Sequence, residues 1–306
     1  MKTALLAAFC LSVAGPALAD ELRVRDFVGR IELVTGDYAG VEVSVIDGPA
    51  MAGPEIRRAG DGADVIGQWD RGGWNPGWGD GLSCRGQGAD LEIRLGRGDY
   101  RSISDYPMLR ITAPRDVAVQ LENSILVGEI GAIGEGRISH AGCGDLSIQS
   151  VQGDLNAAIA GSGTMIVGAV GGSLSGNIAG SGDLRARDIA GGANASIAGS
   201  GNVELGAVAG DMRMNIAGSG RIVADAVEGD INANIAGSGD MAIAGGAADD
   251  VVVSVMGSGN FTFGGQARMA RVNTMGSGDV DILQADDADV RVAGGGDVRV
   301  NGVRMR

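Results

Sequence analysis

A five-residue phrase, Ile-Ala-Gly-Ser-Gly, recurs through the second half of the chain at a fixed interval of 19 residues. Its strict copies are residues 159–163, 178–182, 197–201, 216–220 and 235–239. Looser copies precede them at 140–144 and follow them at 255–259, 274–278 and 292–296. A constant period of this length is the signature of a solenoid, in which each repeat packs on its neighbours.

Residues on both sides of the phrase alternate between apolar and polar, which is the pattern of a strand with one buried face. In one repeat Met212, Met214 and Ile216 alternate with Arg213 and Asn215, and a second alternating strand follows the glycines. Because no helix-period stretch intervenes, each strand can pair only with its equivalent one repeat away, in parallel. We therefore predict an all-β fold, a parallel β-solenoid of about 19 residues per coil, right-handed by the crossover rule. Roughly ten coils would form a rod on the order of 45 Å long.

The chain divides into three predicted segments. Residues 1–19 have a lysine, an apolar stretch and a small-residue cleavage site, which is typical of a secretory signal peptide. Residues 20–120 are predicted to form irregular β-rich coils with a Trp/Gly loop at 67–88, and residues 121–306 the regular solenoid. No other apolar run is long enough to span a membrane, so we expect a soluble protein in the periplasm or outside the cell.

Composition narrows the function classes. The chain is 3% aromatic with 56 glycines in 306 residues, which suits thin stacked coils better than an ordinary globular core. Its formal net charge is −14, and no basic stripe is present to meet phosphates. This argues against nucleic acid and anionic lipid as partners. We interpret the acidity as a solvated surface that opposes aggregation.

The loop at 67–88 holds all three tryptophans, Trp69, Trp74 and Trp78. Exposed indole rings on a secreted protein could stack on sugar rings, which would make this loop a carbohydrate-binding or polysaccharide-active site. The alternative is a structural one, in which the rings cover the unpaired strand edge at the start of the solenoid. We favour the cap because tryptophan is usually mostly buried.

Two cysteines, Cys84 and Cys143, remain after removal of the signal peptide. In an oxidising compartment we expect them to form a disulfide that pins the tryptophan loop to an early coil, with two free buried thiols as the alternative. His140, the only histidine, stands near Cys143, so a Cys-His nucleophile pair is conceivable. Its inward position favours a structural role, and a zinc site of usual composition would need more such ligands.

Catalysis and metal binding find little support elsewhere. An Asp/Asn column follows the glycine pairs, as in Gly-Ser-Gly-Asp at 180–183. It resembles a calcium-binding nonapeptide, but Arg221 and Thr164 interrupt it and the period differs, so a ladder of turn-capping side chains is favoured over calcium. Enzymes built on β-solenoids need clustered acids or bases on long loops, and this repeat has almost no insertions. We predict no enzyme, no catalytic residues, no cofactor and no metal.

The outward positions of the repeat form a lattice of Asn and Ser, represented by Asn194, Asn215, Asn232 and Asn234. These side chains could meet a cell-surface glycan or an envelope protein; the alternative is a solvated face without a partner. At the far end of the repeat the arginines crowd together, and we predict a monomer in which they guard the open strand edge. They are Arg291, Arg299, Arg304 and Arg306.

The Gly-Ser-Gly-Asp/Asn motif, its alternating strands and the opening strand Gly-Arg-Ile-Glu-Leu-Val at 29–34 resemble the bacterial autotransporter adhesin family, head GIN domain. The resemblance covers residues 118–306 well and 20–120 loosely. It implies a secreted or envelope β-helix with a role in adhesion, and no catalytic residues carry over. Together with the lattice, it favours a non-enzymatic, adhesin-like interaction module.

Overall fold

The computed structural model of the chain describes residues 20–68 and 82–305. The helices in these residues are two short 3-10 turns, Gly88–Asp90 and Ile103–Asp105. The predicted signal peptide and the three tryptophans lie outside the described residues. The strands of the described residues are β1 Glu21–Arg25, β2 Val28–Gly36, β3 Glu42–Ile46, β4 Glu55–Ala59, β5 Gly62–Ile66, β6 Leu82–Arg85, β7 Glu92–Leu95, β8 Arg101–Ser102, β9 Met108–Pro114, β10 Ala118–Ile133, β11 Glu135–Gly142, β12 Asp145–Val151, β13 Leu155–Gly161, β14 Thr164–Val170, β15 Leu174–Gly180, β16 Asp183–Ala186, β17 Ala193–Gly199, β18 Asn202–Val208, β19 Met212–Gly218, β20 Arg221–Val227, β21 Ile231–Gly237, β22 Asp240–Gly257, β23 Asn260–Gly276, β24 Val280–Gly294, β25 Val298–Val300 and β26 Val303–Met305.

Each regular coil has two sides that meet at a Gly-x-Gly corner. Side A consists of the strands that run into the corner, namely β11, β13, β15, β17, β19, β21 and the second halves of β22, β23 and β24. Side B consists of the strands that leave it, namely β12, β14, β16, β18, β20, the first halves of β22, β23 and β24, and β25. Each of these strands pairs in parallel with its equivalent in the next coil, except the second half of β24 and β25 in the last coil. The predicted parallel β-solenoid of about ten coils, with repeats about 19 residues apart, is confirmed.

The core lies between the two sides and consists of stacked files of equivalent residues. Ile197, Ile216 and Ile235 are direct neighbours in one file of side A, and each is at most 2% exposed. Side B contributes files such as Val203 and Ile222, which are fully buried. Burying such a side chain stabilises the fold by about 1.5–3 kcal/mol, so the stacked files supply most of the stabilisation.

The corner requires glycine at both ends of the Gly-Ser-Gly phrase. Gly218 has a φ of +136°, and a Cβ atom there would lie 2.3 Å from the carbonyl oxygen of Gly199 in the preceding coil. A Cβ atom on Gly220 would lie 2.6 Å from the carbonyl oxygen of Gly201. Ser219 between them is exposed, and its N–H donates to the carbonyl of Gly199. The coils can therefore stack closely at this corner only without side chains.

The irregular N-terminal strands continue both sides of the rod. Side A extends from β10 to β1, β5 and β4, and side B extends from β10 to β2, β9 and β3. The outermost strands, β3 and β4, pair antiparallel with their neighbours. A small antiparallel sheet of β6, β7 and β8 forms a second buried cluster with Val28 and Ile125, and the Cys84–Cys143 disulfide ties it to the first coils.

The two sides end differently at the far end of the rod. On side B, β26 folds back antiparallel on β25. On side A, the second half of β24 pairs with β23, and no strand of the described residues lies on its other edge. Within the described residues the second half of β24 is therefore an edge strand, as are β26, β3 and β4, each of which pairs along one edge only.

Candidate functional site

The outer surface of side A, which we call the polar face, carries the predicted lattice. Asn194, Asn215, Asn232 and Asn234 are all exposed on it. Because the strands are parallel and in register, equivalent residues of neighbouring coils stand about 4.8 Å apart. Asn215 and Asn234 belong to one column, and Asn194 and Asn232 to the next. A third column beside them is apolar and exposed, and consists of Ala160, Ala179, Ala198, Ala217, Ala236 and Met256.

Side-chain hydrogen bonds order part of this lattice. The Nδ2 atom of Asn234 donates to Oδ1 of Asn215 at 3.2 Å in the preceding coil, and lies 2.9 Å from Oδ1 of Asn232 in its own strand. Within the described residues the amide of Asn194 has no hydrogen-bond partner. The face therefore holds some amides in fixed orientations and leaves others free to bind an external group.

Two open grooves run along the polar face. The first has a volume of about 650 Å³ and follows the outer Asn column beside the turn between coils. The second has a volume of about 560 Å³ and follows the inner Asn column and the alanine column. The charged and amide side chains that line the first are Gln120, Glu135, Arg137, Asp154, Asn156, Asn194, Asp211 and Arg213. Both grooves are long, shallow and repetitive, a geometry suited to a linear ligand.

The last coils of the rod match a known family. Residues 215–304 match the family model described as "Putative auto-transporter adhesin, head GIN domain". The resemblance inferred from the repeat is thereby confirmed over this segment. Asn215, Asn232 and Asn234 lie inside it, and Asn194 precedes it. No curated protein and no solved structure matches the chain.

The match and the fold are compatible with an adhesin-like structural module. A head-domain family of adhesins suggests an extracellular or envelope location, binding to surface molecules and a non-enzymatic role. In residues 20–68 and 82–305, no helix has the length and apolarity needed to cross a membrane.

The Asp/Asn column at the corner holds neighbouring coils together. The Nδ2 atom of Asn202 donates to Oδ1 of Asp183 at 2.8 Å, and the backbone N–H of Asp297 donates to Oδ1 of Asp279 at 2.8 Å. Both pairs show the predicted ladder, and the Asp279 carboxylate also caps a backbone N–H as predicted. Within the described residues, no three His, Cys, Asp or Glu side chains cluster closely enough to hold a metal ion.

His140 and Cys143 do not form a nucleophile pair. The Cys143 sulfur is bonded to Cys84. The His140 ring is 1% exposed, and its Nε2 atom lies 3.0 Å from the carbonyl oxygen of Gly144. Burial lowers the pKa of His140, which keeps the ring neutral. The histidine is a core residue of the first regular coil, as its inward position indicated.

The sequence analysis missed the acidic wall of the first groove. Glu135 begins β11, whereas Asp154 and Asp211 lie in turns between coils, and all three line this groove. Asp154 and Asp211 also accept backbone hydrogen bonds one coil further on, from Ser173 and Asp230. The same 19-residue period could have revealed this acidic file, had it been applied to the turns as well as to the strands.

Proposed function

We propose that the chain is a non-enzymatic, adhesin-like module that binds a cell-surface glycan along the polar face. The observation that carries this proposal is the pair of grooves, each lined by a column of mostly polar side chains with one residue per coil, several of them amides. The second groove also runs beside the apolar column. Amides donate to and accept from hydroxyl groups, whereas alanine and methionine side chains suit the apolar faces of sugar rings. A repetitive polymer would make one set of weak contacts per coil.

The proposed location is the periplasm or the cell exterior, after removal of residues 1–19. The leader-like sequence supports export, and the adhesin family supports an envelope or extracellular site. The Cys84–Cys143 disulfide also fits an oxidising compartment, because such bonds are rare in reducing ones.

Binding of the purified protein to arrayed surface glycans tests the proposal. Replacement of Asn194, Asn215, Asn232 and Asn234 by alanine should weaken binding at least tenfold, because it removes Asn194 from the first groove, Asn215 and Asn234 from the second, and Asn232 from the outer column. The control variant replaces Thr262, Gln266 and Gln284, which are exposed outside the two grooves, by alanine. It should bind like the wild type.

The tryptophan loop is the alternative glycan site, and a variant of it tests that alternative. A variant with Trp69, Trp74 and Trp78 changed to alanine should retain glycan binding if the polar face is the site. If this variant loses binding while the asparagine variant keeps it, the loop is the glycan site and the proposal is wrong. A wild-type protein that binds only an envelope protein would also contradict it.

A further inference from the structure

The second half of β24 leaves a free strand edge, Ala288–Gly294, at the far end of side A. At the other three ends of the two sides the outermost strand, which is β4, β3 or β26, pairs antiparallel with its neighbour, whereas the second half of β24 pairs in parallel. The inward residues of the free edge, Ala288, Val290 and Val292, are half-buried, whereas their equivalents in earlier coils are almost fully buried. The core is partly uncovered at this edge, as it also is at Val43 and Val45 of β3 at the opposite end of side B.

Backbone groups of this edge point toward a missing neighbour. The N–H of Leu155, which occupies the position of Ala288 in an earlier coil, donates to the carbonyl of Ser173 in the next coil at 2.9 Å. The N–H of Ala288 donates instead to its own neighbour, Oδ1 of Asp287, at 2.8 Å. Because backbone direction alternates along a strand, the N–H and C=O groups of Val290 also point to the open edge.

Arg291, Arg299 and Arg304 do not close this edge, and Arg306 lies outside the described residues. Arg299 and Arg304 both pair with Asp297, at 2.7 and 2.6 Å, beside the hairpin of side B. Arg291 pairs with Asp289 of the same strand at 3.0 Å, and both side chains are exposed. The edge of side A therefore carries one negative and one positive charge, placed symmetrically about Val290.

We propose that two copies of the chain pair through this edge as an antiparallel, two-fold symmetric dimer, with Val290 opposite Val290 of the second copy. In this register the two Val290 residues exchange two backbone hydrogen bonds. Ala288 lies opposite Val292 of the second copy, so the half-buried files cover one another. Asp289 lies opposite Arg291 of the second copy at a position where the side chains of facing residues come closest. The two-fold axis repeats this ion pair, so that the interface contains two of them.

Charge selects this register over its neighbours. In a two-fold pair one residue, the symmetry centre, lies opposite its own equivalent in the second copy. Side chains that point into the core must lie opposite side chains that also point into the core, so the centre must fall on a residue and not between two residues. A centre on Asp289 would place two aspartates opposite each other, and a centre on Arg291 would place two arginines opposite each other. Like charges directly opposite destabilise a pair of strands. The centre on Val290 places opposite charges together twice.

The dimer would double the length of the polar face. In this dimer the inward side chains of both strands lie on the same side of the joined sheet. The two-fold axis is therefore perpendicular to the sheet, and both polar faces point the same way. The hairpin of β25 and β26 extends side B one strand further, but it follows the corner directly. The two-fold places the second copy's hairpin at the opposite end of the strand. A bivalent rod gains avidity for a repetitive ligand, although the dimer stands whether or not the polar face binds a glycan.

Sedimentation velocity of the purified protein over a concentration series tests the proposal. We expect the wild type to convert from monomer to dimer and no further. Arg291→Asp and Asp289→Arg should each weaken the dimer at least tenfold, because each places like charges opposite. An equal mixture of the two variants should dimerise again, since every altered charge then faces an opposite one.

Arg268→Asp is the control for Arg291→Asp, because it changes the net charge by the same amount at a position away from the edge. Arg268 pairs with Asp249, and its replacement should leave the dimer intact. Thermal melts establish that each variant is folded, and recovery in the mixture shows it independently. The sequence predicted a monomer instead. A wild type that stays monomeric at all concentrations would support that prediction and overturn the dimer. A mixture that fails to associate, or a wild type that forms longer chains, also overturns it.

Discussion

The Nε2 atom of His140 lies 3.0 Å from the carbonyl oxygen of Gly144, inside the file that continues through Ile159 and Ile178. Burial is the main cause that lowers the pKa of His140 below its ordinary value of 6.5, and the Gly144 carbonyl and the charge of Asp145 oppose it. The folded state therefore binds a proton at this ring less readily than the unfolded state does.

This relationship predicts a loss of stability on acidification. Above pH 6.5 the ring is neutral in both states, and its contribution to stability is fully present. As the pH falls below 6.5 toward the lower pKa of the folded state, the unfolded state takes up the proton first. The free energy of unfolding should then fall by up to about 1.4 kcal/mol per pH unit.

Thermal melts between pH 7.5 and 5.5 measure this effect. His140→Ile places an apolar side chain in the same file and removes the titrating group, so its melting temperature should fall less over this range. Parallel pH dependence in the wild type and the variant would contradict the assignment. The difference in slope is the readout, because the variant also leaves the Gly144 carbonyl without its partner.

The corner phrase predicts a sharp contrast between adjacent residues. Gly218→Ala places a methyl group 2.3 Å from the Gly199 carbonyl oxygen at a φ of +136°. It should destabilise the protein by about 2 kcal/mol or more, because backbone strain of this kind alone costs about 1–3 kcal/mol. Ser219→Ala, at the exposed middle position, should change stability by less than about 0.5 kcal/mol. Urea unfolding of the two variants decides this, and equal midpoints would refute the corner geometry.

The Cys84–Cys143 disulfide closes a separation of 59 residues between the small sheet and the first coils. A double variant, Cys84→Ser with Cys143→Ser, should lose about 2–4 kcal/mol of stability in this region. Limited proteolysis should then cut β6 to β8 faster than in the wild type. Mass spectrometry of unreduced peptides provides the direct check, and two freely alkylated cysteines in the isolated protein would contradict the bond.

Much of the candidate site was accessible from the repeat. Asn215 and Asn234 could be assigned to one outward column because strand alternation and a constant period are properties of neighbouring residues. The groove wall formed by Asp154 and Asp211 was not, because a turn residue lines a groove only after the coils have stacked. The tryptophan loop remains a sequence-based hypothesis, since it lies outside the described residues.

The sequence by itself determined the coil. An isoleucine equivalent to Ile216 occurs every 19 residues with the same neighbours, and glycine alone fits the corner. Parallel stacking in one register therefore follows from local chemistry. Only the tertiary structure decided how the rod ends. The pairing of β5 with β1 and of β9 with β2 joins segments with no common period, and nothing local specifies it. The sequence predicted an open edge at this end of the rod, but only the strand pairing shows that it lies on side A at Val290, while β26 folds back on β25 on side B.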